Sequence, residues 1–168
     1  MTNLSLDRAV ATERPMLERL MQFYAYDWSA LVGLDVDADG RFAAVDLSPY
    51  WGGDLHHPFV LRVDGHPAGF ALIVGRSRLT GELGVHDIAE FFVMRRYRRQ
   101  GVGSAAARAA FDAFPGQWEV RQRDEHPEAS RFWRTVIAQY TGGAFTESRC
   151  DEPAWKGVVQ RFRSPAAS

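Results

Sequence analysis

His86-Asp87-Ile88-Ala89-Glu90-Phe91-Phe92-Val93-Met94 runs into Arg95-Arg96-Tyr97-Arg98-Arg99-Gln100, and then into Gly101-Val102-Gly103-Ser104-Ala105-Ala106-Ala107. The first part is apolar and reads as a strand. The second is a basic turn, and the third is a glycine pair opening an alanine-rich helix. Gly101 and Gly103 carry no Cβ, so the backbone can bend tightly and approach a ligand. Amides at a helix start have no partner within the helix, and the helix dipole adds partial positive charge there. With Arg95, Arg96, Arg98 and Arg99 beside them, these groups suit a phosphate or pyrophosphate.

Three phosphate-binding readings compete. A mononucleotide loop needs Lys and Ser/Thr after its last glycine, and no Lys follows here. A dinucleotide fold wants G-x-G-x-x-G/A, which Gly101, Gly103 and Ala106 match, with Glu119 near the distance of a ribose-binding acid. In that fold, however, the strand leads almost directly into the first glycine. Here six residues intervene, and a hairpin precedes the strand. In the third reading, Arg98-Arg99-Gln100-Gly101-Val102-Gly103 resembles the R/Q-x-x-G-x-G/A signature of the GNAT superfamily of N-acetyltransferases. Glu90 to Met94 with the turn after it is also similar to the diamine (spermidine/spermine) acetyltransferases of that superfamily. Downstream, His126-Pro127-Glu128-Ala129-Ser130-Arg131-Phe132-Trp133 resembles a second signature of the superfamily, N-x-x-A-x-x-F-Y. Ala129 and Phe132 match it, whereas His126 replaces Asn and Trp133 replaces Tyr.

The resemblance implies a single α/β (α+β) domain over residues 1–163. It would have a central mixed, mostly antiparallel sheet of six to seven strands and helices on both faces, followed by a disordered tail at 164–168. It implies acetyl-CoA as co-substrate and direct acetyl transfer to a primary amine. The pyrophosphate would lie on Arg98, Arg99, Gln100, Gly101, Val102, Gly103 and Ser104. The backbone near Phe92 and Val93 would serve the oxyanion and pantetheine, and His126, Ala129 and Trp133 would complete the cofactor site.

Transfer needs a base, an oxyanion partner and an optional acid. Glu90 is the first candidate base, because a partly buried Glu titrates nearer neutrality. Asp87, acting through water, is the alternative. Three residues apart, the two fall on opposite faces of a regular strand unless a bulge intervenes. The diamine enzymes carry a further acid where this chain has Ala89. An indole cannot act as the family's tyrosine acid. Tyr140, two helical turns beyond Trp133, is the remaining side-chain candidate, and water is the other source of a proton.

The 168 residues suit one domain. A formal net charge of −1 gives no global pull toward nucleic acid or membrane. A nucleic-acid reading therefore rests only on Arg95 to Arg99, and a non-catalytic acyl-CoA-binding module stays open because the tyrosine is missing. One cysteine, Cys150, excludes an internal disulfide. With no basic and apolar leader at the N-terminus, the chain reads as cytoplasmic. A homodimer is left open.

Along the chain, Leu4 to Val10 reads as a strand. Thr12 is the expected cap of a helix running to about Ala30, with Met16, Leu17, Leu20, Phe23 and Tyr24 as its apolar face. Tyr26 and Trp28 serve either packing or an acceptor wall. Asp35-Val36-Asp37-Ala38-Asp39-Gly40, with Asp46 beyond, has the spacing of a calcium loop, but no amphipathic helix follows, so a solvated turn is preferred. Asp27, Asp35, Asp37, Asp39 and Asp54 can instead bias a site toward cationic amines. The histidines show no metal-ligand spacing, and no metal is assigned. Pro58 to Val63 and Ala68 to Val74 form a hairpin about Asp64-Gly65. A helix from Val102 to Phe114, a strand at Gln117 to Arg121, a helix ending near Tyr140 and strands at 144–148 and 155–162 follow.

Overall fold

The computed structural model describes residues 3–165. Seven strands form one sheet: β1 (Leu4–Arg8), β2 (His56–Val63), β3 (His66–Arg76), β4 (Leu83–Val93), β5 (Gly116–Arg123), β6 (Phe145–Glu152) and β7 (Trp155–Ser164). Their order is β1-β2-β3-β4-β5-β7-β6. All neighbours are antiparallel except β4 and β5. This is the expected mixed, mostly antiparallel sheet with helices on both faces. Helix α1 (Arg14–Val32) packs on one face through Leu17, Leu20 and Met21. Helices α2 (Val102–Ala113) and α3 (Pro127–Thr141) pack on the other, through Ala107, Ala110, Phe111, Trp133, Val136 and Ile137.

Local chemistry explains the main joints. The hairpin turn takes its left-handed pair from Asp64 (φ 50) and Gly65 (φ 78), the geometry that matches strand twist. Alanines at 106, 107 and 110 are fully buried and let α2 lie close to the sheet. At Gly69 a Cβ would sit 1.9 Å from the Phe92 carbonyl oxygen, so only glycine lets β3 pass β4 there.

Several expectations are corrected. Thr12 lies in a short 3₁₀ turn, Ala11–Glu13, before α1 and does not cap it; instead the Glu13 carboxylate accepts the Val10 amide at 3.0 Å. Phe23 is 53% exposed, because the buried face of α1 runs through 17, 20, 21 and 25. Ser164, expected in the tail, ends β7. It is buried, and its hydroxyl donates to the Phe111 carbonyl at 2.9 Å. Residues 166–168 of that tail lie outside the described residues. In the acidic loop, Asp37 Oδ1 accepts the amides of Asp39 and Arg41, both at 2.9 Å, and Asp46 accepts that of Ser48. These two carboxylates are committed to their own loop's backbone.

Candidate active site

The parallel contact of β4 with β5 is short, from Val85↔Gln117 to Asp87↔Glu119. Beyond it the strands separate and two adjoining cavities open. The larger, about 560 Å³, runs over Phe91, Val93, Gly101, Gly103, Ser104 and Phe132. The smaller, about 210 Å³, is lined by Glu90, Arg78, Arg121, Gln122 and Trp155 among others. Tyr24, Trp28, Phe91, His126, Ala129 and Trp133 line both, so the two spaces meet at the middle of β4.

A register shift in β4 sets the faces of its acids. Glu90 pairs with Leu72 and Ile88 with Ile73, leaving Ala89 as the extra residue of a bulge. Asp87 pairs with Val74. Leu72 and Val74 share a face of β3, so Glu90 and Asp87 share a face of β4. Their environments differ. The Glu90 carboxylate accepts the Tyr24 hydroxyl at 2.7 Å. Burial pushes Glu90 above the usual carboxylate range, against the lowering effect of Tyr24 and Arg78. Burial and the charge of Glu90 together push the Tyr24 phenol well up. Asp87 is 0% exposed and lines neither cavity. Arg78 grips it, Nε to Oδ2 and Nη2 to Oδ1, each at 3.2 Å. That grip argues against Asp87 as a base. Helical spacing marks Tyr24 only as part of an apolar face, and its partner lies 66 residues away. Only the tertiary fold brings the two together.

Backbone polarity follows from the same ladder. The Met94 amide donates to Ala68 of β3 at 2.8 Å. Alternate residues point their amides to alternate sides, so those of Phe92 and Glu90 also turn toward β3. Phe91 and Val93 turn theirs toward the gap. The Val93 carbonyl accepts Arg98 Nε at 2.7 Å on that side. Of the two residues expected to present amides, Val93 turns its own toward the gap and Phe92 does not; Phe91 is the second that does. The Phe92 ring packs with Tyr24 and Phe70.

The basic turn divides its labour. Arg98 and Arg95 both bind Asp27, which also borders the larger cavity. Burial alone would raise Asp27, but these hydrogen bonds outweigh it and hold the carboxyl low. Arg98 also lies over Phe92. Arg96 lies over Tyr97 and takes the Gln100 side chain on its carbonyl at 2.7 Å. Arg99, exposed, lines the cavity. Gly101 caps α2 at φ 78, which aims the first-turn amides outward. Two expected contacts change: Gln100 is turned back, and the Val102 side chain is buried against Leu61, Val63 and Ala68. Val102 keeps only its backbone for a ligand.

His126 is both cap and wall. Its Nδ1 accepts the Ala129 amide at 3.1 Å, while its ring meets Trp28 edge-on. Burial lowers its pKa, which keeps the imidazole neutral for that acceptor role. Trp133 packs on Phe91 and Phe132. Tyr140 is corrected as an acid: its hydroxyl donates to Asp112 at 2.7 Å and meets Ser164 at 2.8 Å, and it lines neither cavity. Tyr26 also lines neither and lies against Phe42, whereas Trp28 lines both.

Comparison with curated proteins gives no match. Among solved structures, an acetyltransferase from Thermus thermophilus is similar with TM-score 0.68 and 16% identity, over 96% of this chain and 97% of that one. A spermidine N-acetyltransferase chimera from Vibrio cholerae and hSSAT gives TM-score 0.63 and 9% identity, over 96% and 95%. An aminoglycoside acetyltransferase in complex with coenzyme A gives TM-score 0.65 and 14% identity, over 96% and 95%. These likenesses establish the fold. The family model of the acetyltransferase (GNAT) family matches residues 17–134, which span both the glycine loop and the second signature. The chain therefore belongs to the GNAT acetyltransferase family.

Proposed function

We propose that the protein transfers acetyl from acetyl-CoA directly to a primary amine of a small acceptor. The observation that carries this is the meeting of the two cavities at Phe91, on the unpaired edge of β4, next to Glu90 in the smaller one. In the larger cavity, Arg99 and the amides of Gly101 to Ser104 hold the pyrophosphate. Phe91 and Val93 offer amides to the pantetheine arm and to the thioester oxygen. In the smaller cavity, Glu90 accepts the proton of the acceptor amine. The amine nitrogen forms the new bond to the acetyl carbon, the C–S bond breaks, and the electron pair leaves on sulfur.

Tyr24 holds Glu90 in place. Its raised pKa makes it a poor proton donor to sulfur. With Trp133 in the family's tyrosine position and Tyr140 elsewhere, the thiolate takes its proton from water, which a low-pKa leaving group tolerates. The nucleic-acid reading loses ground, since Arg95 and Arg98 are already paired with Asp27.

The test is CoA-thiol release with an amine panel, for the wild type and Glu90→Gln. The expected loss is about 10²- to 10⁴-fold in kcat, the worth of a general base, with acetyl-CoA affinity unchanged. Equal turnover by both proteins would remove Glu90 from the chemistry. Acetyl-CoA binding with no turnover of any amine would favour the acyl-CoA-binding module.

A further inference from the structure

The smaller cavity holds more cation than its acids neutralise. Arg78, Arg121 and Arg123 line it. Against them stand Asp87, buried behind the wall, and Glu90. The next carboxylate on that face, Glu119, is taken by Arg161 at 2.9 Å and by Ser77. Arg78 occupies both oxygens of Asp87. Arg121 Nε stands 3.3 Å from Asp87 Oδ2, but its N–H is not aligned and makes no hydrogen bond. The Arg121 side chain is only 7% exposed, with its guanidinium 5.0 Å from the Trp155 ring. Burial lowers its pKa, as expected for a cation short of partners.

A buried guanidinium that lines the cavity and makes no side-chain hydrogen bond among the described residues suits a planar anion, above all a carboxylate. A purely cationic acceptor would add charge of the same sign to a site that already has it in excess. The acids that favoured such an acceptor do not help: Asp27 is bound by two arginines, and Asp35, Asp37, Asp39 and Asp54 do not line this cavity. We propose that the acceptor is a small amino-acid-like molecule whose carboxylate pairs with Arg121 while its amine faces Glu90. This rests on the acetyl-transfer reading above.

The experiment compares kcat/KM for L-amino acids, their carboxamides, a phosphate-bearing amine and spermidine, with acetyl-CoA binding to the same protein measured first. The expected result is a preference for an acid over its carboxamide of about 10- to 100-fold, the worth of one charged hydrogen bond. In Arg121→Gln that preference falls toward unity through KM, and Arg121→Lys restores part of it; melting curves establish that both variants fold. Faster turnover of spermidine or of the carboxamides overturns the proposal, as does an unchanged preference in Arg121→Gln. A preference for the phosphate-bearing amine overturns the carboxylate in favour of another anion. If acetyl-CoA does not bind, the transferase reading fails separately. Calorimetry of the acids and carboxamides against the free protein then decides: acids binding at least about tenfold tighter supports the carboxylate site, and equal or absent binding overturns it.

Discussion

Glu90 is pulled in two directions: burial raises its pKa, and the Tyr24 hydroxyl lowers it. As a base it must be ionised, so activity rises with pH through its pKa. Tyr24→Phe removes a hydrogen bond to the ionised form, which moves that acidic limb to higher pH. With one amine as acceptor, the variant is expected to lose about tenfold below the limb and to approach wild type above it. A loss equal at every pH would mean that Tyr24 acts by packing alone. The candidacy of Glu90 was legible from its place on an apolar strand before the glycine loop. Its partner was not, because helical spacing marks Tyr24 only as part of a buried face. Nor was the fate of Asp87, since the arginines around it come from a loop at residue 78 and from β5 at residue 121.

At the scale of elements, the bulge at Ala89 and the αL cap at Gly101 place the chemistry. The start of α2 at Val102 was readable, because glycines free to bend tightly stand before an alanine-rich run of strong helix formers. The bulge was not, because nothing in Ile88-Ala89-Glu90 marks an extra residue; it shows only when β3 fixes the register. Gly101→Ala forces an L side chain to φ 78, with no atom within 4 Å to obstruct it. The strain is about 1–2 kcal/mol. The loop relieves that strain by relaxing, so acetyl-CoA binding is expected to weaken by about tenfold, while the melting point changes little. Gly69→Ala tests packing instead. Its Cβ would strike the Phe92 carbonyl, and the expected cost is about 3 kcal/mol, the upper end of overpacking, seen as a lower denaturation midpoint. A neutral Gly69→Ala would show that β3 and β4 can slide apart there.

Across the whole molecule, an otherwise antiparallel sheet has one parallel junction, and that junction opens. β4 and β5 pair for three residues and then diverge, so the unpaired edge, the start of α2 and the cap of α3 all face one space. The strand and helix order was legible from periodicity and turn residues, and the fold from the resemblance of the glycine loop and of His126 to Trp133 to the GNAT signatures. The balance of charge in the smaller cavity was not, because β5 and the loop before β4 bring its arginines together from distant sequence. Among the described residues no helix is long and apolar enough to cross a membrane.

On the reading proposed above, the space between β4 and β5 receives acetyl-CoA. Calorimetry of acetyl-CoA against wild type and Gly101→Ala, with NAD and ATP as controls, tests it most directly. Micromolar binding to acetyl-CoA alone is expected, weakened in the variant. At about a hundredfold excess over Kd it should come with a rise in melting temperature of roughly 5–10 °C. Absence of binding to acetyl-CoA and longer acyl-CoAs, or equal binding by wild type and variant, would overturn acetyl-CoA as the occupant of this space.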